Sequence, residues 1–196
     1  MQRGLKLLIV AGAAALVMAP MQARADGFFS PWIGSAFGGA VTATNIDRGH
    51  TTWGISAGGM GAGIIGGELD FGYTPNFFGS KDLIGSNAAI NVMGNLIVGV
   101  PVGGQHGAGI RPYVTAGLGL MRTHADGGTF GNPTSSENGL GWNAGAGVMG
   151  YFTDHVGLRG DLRYLRGFNN HDLGFGTGDS LAQVRFWRAS VGVVCR

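Results

Sequence analysis

Three scarcities bound what this chain can be. It carries a single cysteine, Cys195, in 196 residues, so an internal disulfide is excluded and the fold rests on its backbone and core alone. Beyond residue 25 it has no helical apolar run near the roughly 20 residues that a spanning helix needs, so any membrane insertion would have to use strands. Its five histidines, His50, His106, His124, His155 and His171, lack a second His or Cys at metal-ligand spacing, so neither a metal site nor a cofactor site is indicated.

A basic excess is also missing once the N-terminus is read correctly. The opening "MQRGLKLLIVAGAAALVMAPMQARA" has a positive start at Arg3 and Lys6, an apolar stretch from Leu7 to Met18 and an A-x-A site at Ala23-Arg24-Ala25. Together these read as a secretory signal peptide over residues 1–25, with a mature domain over 26–196. Cleavage removes three of the 13 basic residues and leaves 10 against 11 acidic ones, which gives nucleic-acid binding no support.

Glycine is what the chain has in plenty. Of 40 glycines, all but Gly4 and Gly12 fall in the mature part, about three times ordinary usage, with neither a collagen period nor the polarity of a disordered linker. Dispersed through alternating residues, they fit strands that pack closely or curve into a barrel. Eight such period-two segments run at about 30–41, 51–60, 64–74, 88–100, 109–122, 139–152, 155–167 and 182–195.

Their two faces differ in kind. In "YVTAGLGLM", Val114, Ala116, Leu118 and Leu120 oppose Tyr113, Thr115, Gly117 and Gly119; in 64–74, Leu69, Phe71 and Tyr73 oppose Glu68 and Asp70. In the last segment, Trp187, Ala189, Val191 and Val193 oppose Arg188, Ser190 and Gly192. A polar face so rich in glycine makes a poor soluble exterior, whereas apolar outside and polar inside is the arrangement of a transmembrane β-barrel. The first segment, "SPWIGSAFGGAV", is apolar on both faces and its parity is not readable.

The connections alternate in length: 61–63, 101–108 and 153–154 on one side, 42–50, 75–87, 123–138 and 168–181 on the other. Short periplasmic turns and long external loops have this order, although "PVGGQHGAG" is long for such a turn. Trp53, Tyr73, Trp142, Tyr164 and Trp187 fall at the loop ends of their segments and are assigned to the outer membrane interface. Phe28, Phe29, Trp32, Tyr113 and Phe152 fall at the turn ends and are assigned to the inner one.

With eight strands, two aromatic girdles, the Gly-rich "PWIGSAFGGAV" and the final "RFWRASVGVVCR", the mature chain resembles the small eight-stranded outer-membrane barrels of the OmpA/OmpX-like type, the outer membrane protein beta-barrel domain. The resemblance implies an all-β, eight-stranded antiparallel up-and-down barrel in the bacterial outer membrane. Its implied partners are outer-membrane lipid, the outer-membrane assembly machinery and any surface ligand met by the external loops. It departs from the family in ending Cys195-Arg196 where such barrels usually end in an aromatic residue. The chain also ends after the eighth strand, so no periplasmic peptidoglycan-binding domain is expected.

Inward parity falls on Glu68, Asp70, Arg159, Asp161, Arg163 and Arg188. The third and seventh strands of eight face each other across a lumen only wide enough for side chains to fill, so a paired-charge plug is expected, with Asn91, Asn95 and Asn143 adding hydrogen bonds. The alternative is a gate in a narrow channel for small solutes. The tripeptide Arg159-Gly160-Asp161 looks like an adhesion motif, but on this strand its two charges turn inward, away from any receptor.

"GAGIIG" at 61–66 matches a dinucleotide fingerprint but has strands on both sides, so a hairpin turn is expected. Resemblance to an envelope-lipid-modifying enzyme on this fold would imply a strand-borne His with a Ser two residues later and a nearby carboxylate, and no His-x-Ser occurs; His124 with Asp126 and His171 with Asp172 lack a neighbouring nucleophile. No enzyme is therefore expected. Cys195 has lipid-facing parity and reads as a small apolar strand residue. The sequence thus points to a structural or surface-interaction barrel, its loops rich in Gly, Asn, Asp and Ser.

Overall fold

Alternating residues build a wall that closes on itself. The computed structural model describes residues 25–41, 44–46, 49–75, 87–103, 108–125, 135–168 and 185–196. Its strands are β1 (Ala25–Val41), β2 (Thr44–Ile46), β3 (His50–Gly61), β4 (Ile65–Pro75), β5 (Asn87–Gly99), β6 (Gly109–Ala125), β7 (Ser135–Tyr151), β8 (Val156–Gly167) and β9 (Arg185–Cys195). Each strand from β3 onward pairs antiparallel with its successor, and β1 pairs with both β3 and β9. Eight strands therefore form a closed barrel with no open edge, which satisfies the backbone inside a bilayer.

The ninth strand, β2, is only a flap on the end of β1, with Gly39 to Val41 facing Ile46 to Thr44. It falls in the predicted 42–50 connection, where three residues are too few for a period to show. The predicted signal peptide up to Arg24, His106, His171, Asp126 and Asp172 lie outside the described residues.

Each alternation read from the sequence has one exposed and one buried face. Leu96, Val114, Leu118 and Val191 are well exposed on the outside, while Glu68, Met93, Arg163 and Arg188 are sealed inside. With strands of 11 to 17 residues, the wall is long enough to cross a bilayer at a tilt.

The first strand, unreadable from the sequence, turns Phe29, Ile33 and Phe37 out and Phe28, Trp32 and Ala36 in. This corrects the inner aromatic girdle. Phe28, Trp32 and Tyr113 are buried in the lumen, and only Phe29 and Phe152 of the five face outward. The outer set fares differently: Trp53 lies 5.4 Å from Tyr73, Trp142 5.7 Å from Tyr164, and Tyr164 5.1 Å from Trp187, ring to ring on the outside.

The turns explain two further sequence features. At Gly61–Ile64 the Ile64 amide donates to the Gly61 carbonyl at 3.0 Å, with Ala62 and Gly63 both at positive φ, the geometry of a tight hairpin turn. The apparent dinucleotide fingerprint is thus the β3–β4 hairpin. The long 101–108 connection is partly ladder: Val100 bonds the Pro112 carbonyl, and Val102 and Ile110 bond each other in both directions. Gly103 turns the chain beyond them at φ +96°.

Candidate functional site

Among the described residues, charge is concentrated in the lumen. Glu68 and Asp70 come from β4, Arg159, Asp161 and Arg163 from β8, and Arg188 from β9, all buried. Strand parity alone puts them there, because each alternates with an apolar residue that belongs in lipid. An arginine turned to the lipid midplane would cost roughly 2–4 kcal/mol, which fixes the register of β8 and β9.

The six side chains form one connected cluster. Arg159 Nη2 lies 2.6 Å from Glu68 Oε2, and Arg163 Nη2 lies 2.8 Å from Glu68 Oε1, so one carboxylate on β4 receives two guanidinium groups from β8. Arg163 also grips Asp161 with two bonds, Nε to Oδ1 at 2.6 Å and Nη2 to Oδ2 at 2.9 Å. Arg188 Nη2 donates to Asp70 Oδ1 at 2.8 Å. Three carboxylates face three guanidinium groups, and Arg163 touches all three, its Nη1 lying 3.9 Å from Asp70.

Neutral groups add further hydrogen bonds to the cluster. Ser56 donates to Asp70 at 2.8 Å, Asn95 to Glu68 at 2.9 Å, and Asn143 to Asn95 at 2.7 Å. Asn91 accepts from Arg188 at 3.4 Å. Tyr113 relays between charges, donating to Asp161 at 2.6 Å and accepting from Arg159 Nε at 2.7 Å. Such bonds offset the desolvation of buried charge, which pairing alone seldom does.

The aromatic residues that turned inward serve the same cluster. Arg188 lies over the Trp32 ring at 4.2 Å, and Arg159 over Tyr113 and Phe28 at 5.1 and 5.6 Å. Each ring presents a negative face to a cation in a dry setting. Inward glycines supply the room: a Cβ on Gly72 would come within 2.7 Å of Asn91 Nδ2 and 2.9 Å of Arg188 Nη1. The space lined by Trp32, Ser56, Asp70, Arg163 and Arg188 is too small to hold a water molecule.

Apolar layers lie on both sides of this charged one. Toward the loops, Ala36, Ala89, Met93, Met121, Leu165 and Phe186 pack together; toward the turns, Phe28, Met60, Ile97, Tyr113, Met149, Tyr151 and Val194 do. Along β9 alone the order is Phe186, Arg188, then Val194.

One lumen charge was not anticipated. Arg111, two residues before the inward Tyr113, is buried at the turn end of β6, its Nη1 3.9 Å from Met60 Sδ and its guanidinium 5.7 Å from the Tyr151 ring centre. Extending the parity of Tyr113 by one step would have found it. Of the histidines, His50 opens β3 and His155 sits exposed in the β7–β8 turn. Among the described residues no group of His, Cys, Asp and Glu could hold a metal. Arg159 and Asp161 of the RGD tripeptide are buried, with Gly160 between them on the outside.

A barrel with this wall and interior matches a known family model, the outer membrane protein beta-barrel domain, over residues 11–196. The chain belongs to that family. No curated protein matches it. Among solved structures, this outer-membrane barrel is similar to Neisserial surface protein A, with a TM-score of 0.64 at 19% identity, covering 86% of this chain and 96% of that one. It is similar also to the N-terminal β-barrel domain of Pseudomonas aeruginosa OprF, with a TM-score of 0.56 at 17% identity over 88% and 98% of the two chains. A third similar structure is Ail, the attachment invasion locus protein of Yersinia pestis, in complex with the heparin analogue sucrose octasulfate, with a TM-score of 0.55 at 16% identity over 86% and 97%. These likenesses concern the fold: small closed barrels of the outer membrane.

Proposed function

We propose that this outer-membrane barrel is a structural and surface-interaction protein whose lumen is plugged, neither a channel nor an enzyme. The observation that carries the reading is the layering of the interior, a neutralised charge cluster between two apolar seals. An ion entering from either end has to pass a methionine- and aromatic-filled layer before it reaches the charge cluster, and hydrophobic constrictions block conduction by dewetting. The charge cluster itself is internally paired, so it offers a passing ion no free counter-charge.

Function then lies on the outside. The connections at 42–50, 75–87, 123–138 and 168–181 carry most of the polarity beyond the strands, and loops held on a rigid scaffold are where recognition resides. The complex of the Yersinia pestis relative with a heparin analogue supports a surface ligand as the kind of partner such loops would meet. Residues 1–25 serve as the export signal, and the mature chain starts at Asp26, at the head of β1; lipid and the outer-membrane assembly machinery are its partners on the way in.

Planar-bilayer recording of the purified barrel tests the closed lumen. The reading expects no conductance steps at moderate voltage. Steady ohmic steps that change on replacing Arg159 or Glu68 would establish the narrow channel instead.

A further inference from the structure

Two arginines on the outer wall stand where electrostatics disfavours them. Arg166 on β8 and Arg185 on β9 are direct cross-strand partners, and both are exposed on the lipid-side face. Directly opposed residues on one face hold their Cβ atoms about 5 Å apart, and like charges so placed repel. Among the described residues neither has an ion-pair partner, and neither is among those with further contacts.

Their position on the wall is specific. One step inward along each strand, about 7 Å away, lie Tyr164 and Trp187, themselves cross-strand partners with rings 5.1 Å apart. Trp142 lies across the β7–β8 ladder from Arg166 and completes the shelf, 5.7 Å from Tyr164. Aromatic rings of this kind mark headgroup depth, so the two guanidinium groups sit at the level of lipid phosphates on the side of the long loops.

From this arrangement we propose that Arg166 and Arg185 form a binding site for a phosphate-bearing lipid headgroup of the outer leaflet, with Trp142, Tyr164 and Trp187 as the shelf for the lipid body below it. A phosphate between the two guanidinium groups accepts forked hydrogen bonds from both and replaces their repulsion with shared attraction. The site is on the outer wall and is independent of whether the lumen conducts.

Tryptophan quenching by brominated lipid reads this site directly. The chain has four tryptophans; Trp32 is buried in the lumen, so a Trp53→Phe variant leaves Trp142 and Trp187 as the lipid-accessible reporters. The folded barrel is placed in phosphatidylcholine vesicles containing either brominated phosphatidic acid or brominated phosphatidylcholine. Phosphatidic acid is expected to be preferred on the order of tenfold, and the preference to vanish in Arg166→Gln/Arg185→Gln while heat-modifiable migration shows the barrel still folded. Arg122→Gln, on another part of the wall, is expected to leave it intact.

Equal quenching by the two lipids would overturn the proposal, as would a preference that survives the double substitution. A preference lost equally in Arg122→Gln would make it a general effect of surface charge. If inorganic phosphate at the lipid's concentration abolished it, the site would belong to a free anion and not to a headgroup.

Discussion

Arg159 of β8 and Glu68 of β4 meet at 2.6 Å across the barrel, although their strands share no ladder. The wall hydrogen-bonds each strand only to its neighbours, so this ion pair, with that of Arg163 to the same carboxylate, ties opposite sides together through the lumen. The cost of burying so much charge is met only while every partner is present.

Removal of one partner should therefore be expensive. Glu68→Ala strands Arg159 and Arg163 and should destabilise the barrel by about 3–5 kcal/mol in urea unfolding from vesicles. Asp154→Ala, in the exposed turn before β8, should stay within about 1 kcal/mol of wild type. Equal losses would show that the lumen pairs carry no special weight.

Geometry matters as well as charge. Arg163 spans Asp161 and Glu68 with a fork of Nε and Nη2, which a lysine ammonium cannot reproduce. Arg163→Lys keeps the charge and should still lower the unfolding free energy by roughly 2 kcal/mol, seen as an earlier midpoint in the same titration. An unchanged midpoint would mean that charge alone suffices.

Space in the lumen is equally constrained. A Cβ at Gly147 would sit 2.6 Å from Tyr113 Cζ and push the phenol off Asp161, whereas one at Gly150 meets nothing within 4 Å. Gly147→Ala should cost about 1–3 kcal/mol and Gly150→Ala almost nothing. Heat-modifiable migration after graded heating ranks the two variants.

Much of this was legible because a strand's period is two and lipid enforces it. Leu69 beside Asp70, or Leu162 beside Asp161 and Arg163, leaves one choice of face, so the wall and the inward charges followed from the letters. The inward turn of Phe28 and Trp32 was not legible, and the inward parity of Tyr113 was overridden by its place at a strand end, because an aromatic ring suits a membrane interface and a guanidinium platform alike. In "SPWIGSAFGGAV" that ambiguity hid the parity of a whole strand. Which carboxylate meets which arginine depends on barrel shear and side-chain length, and a one-dimensional pattern holds neither.

A double-mutant cycle on Glu68 and Arg163 tests most directly whether the lumen cluster acts as one unit across the barrel. Glu68→Gln, Arg163→Met and the pair together are unfolded from vesicles under one set of conditions. The cross-lumen account predicts a coupling of about 1–3 kcal/mol, with the double variant less damaged than the sum of the singles. Additivity within about 0.5 kcal/mol would contradict it and leave β4 and β8 joined only through the wall.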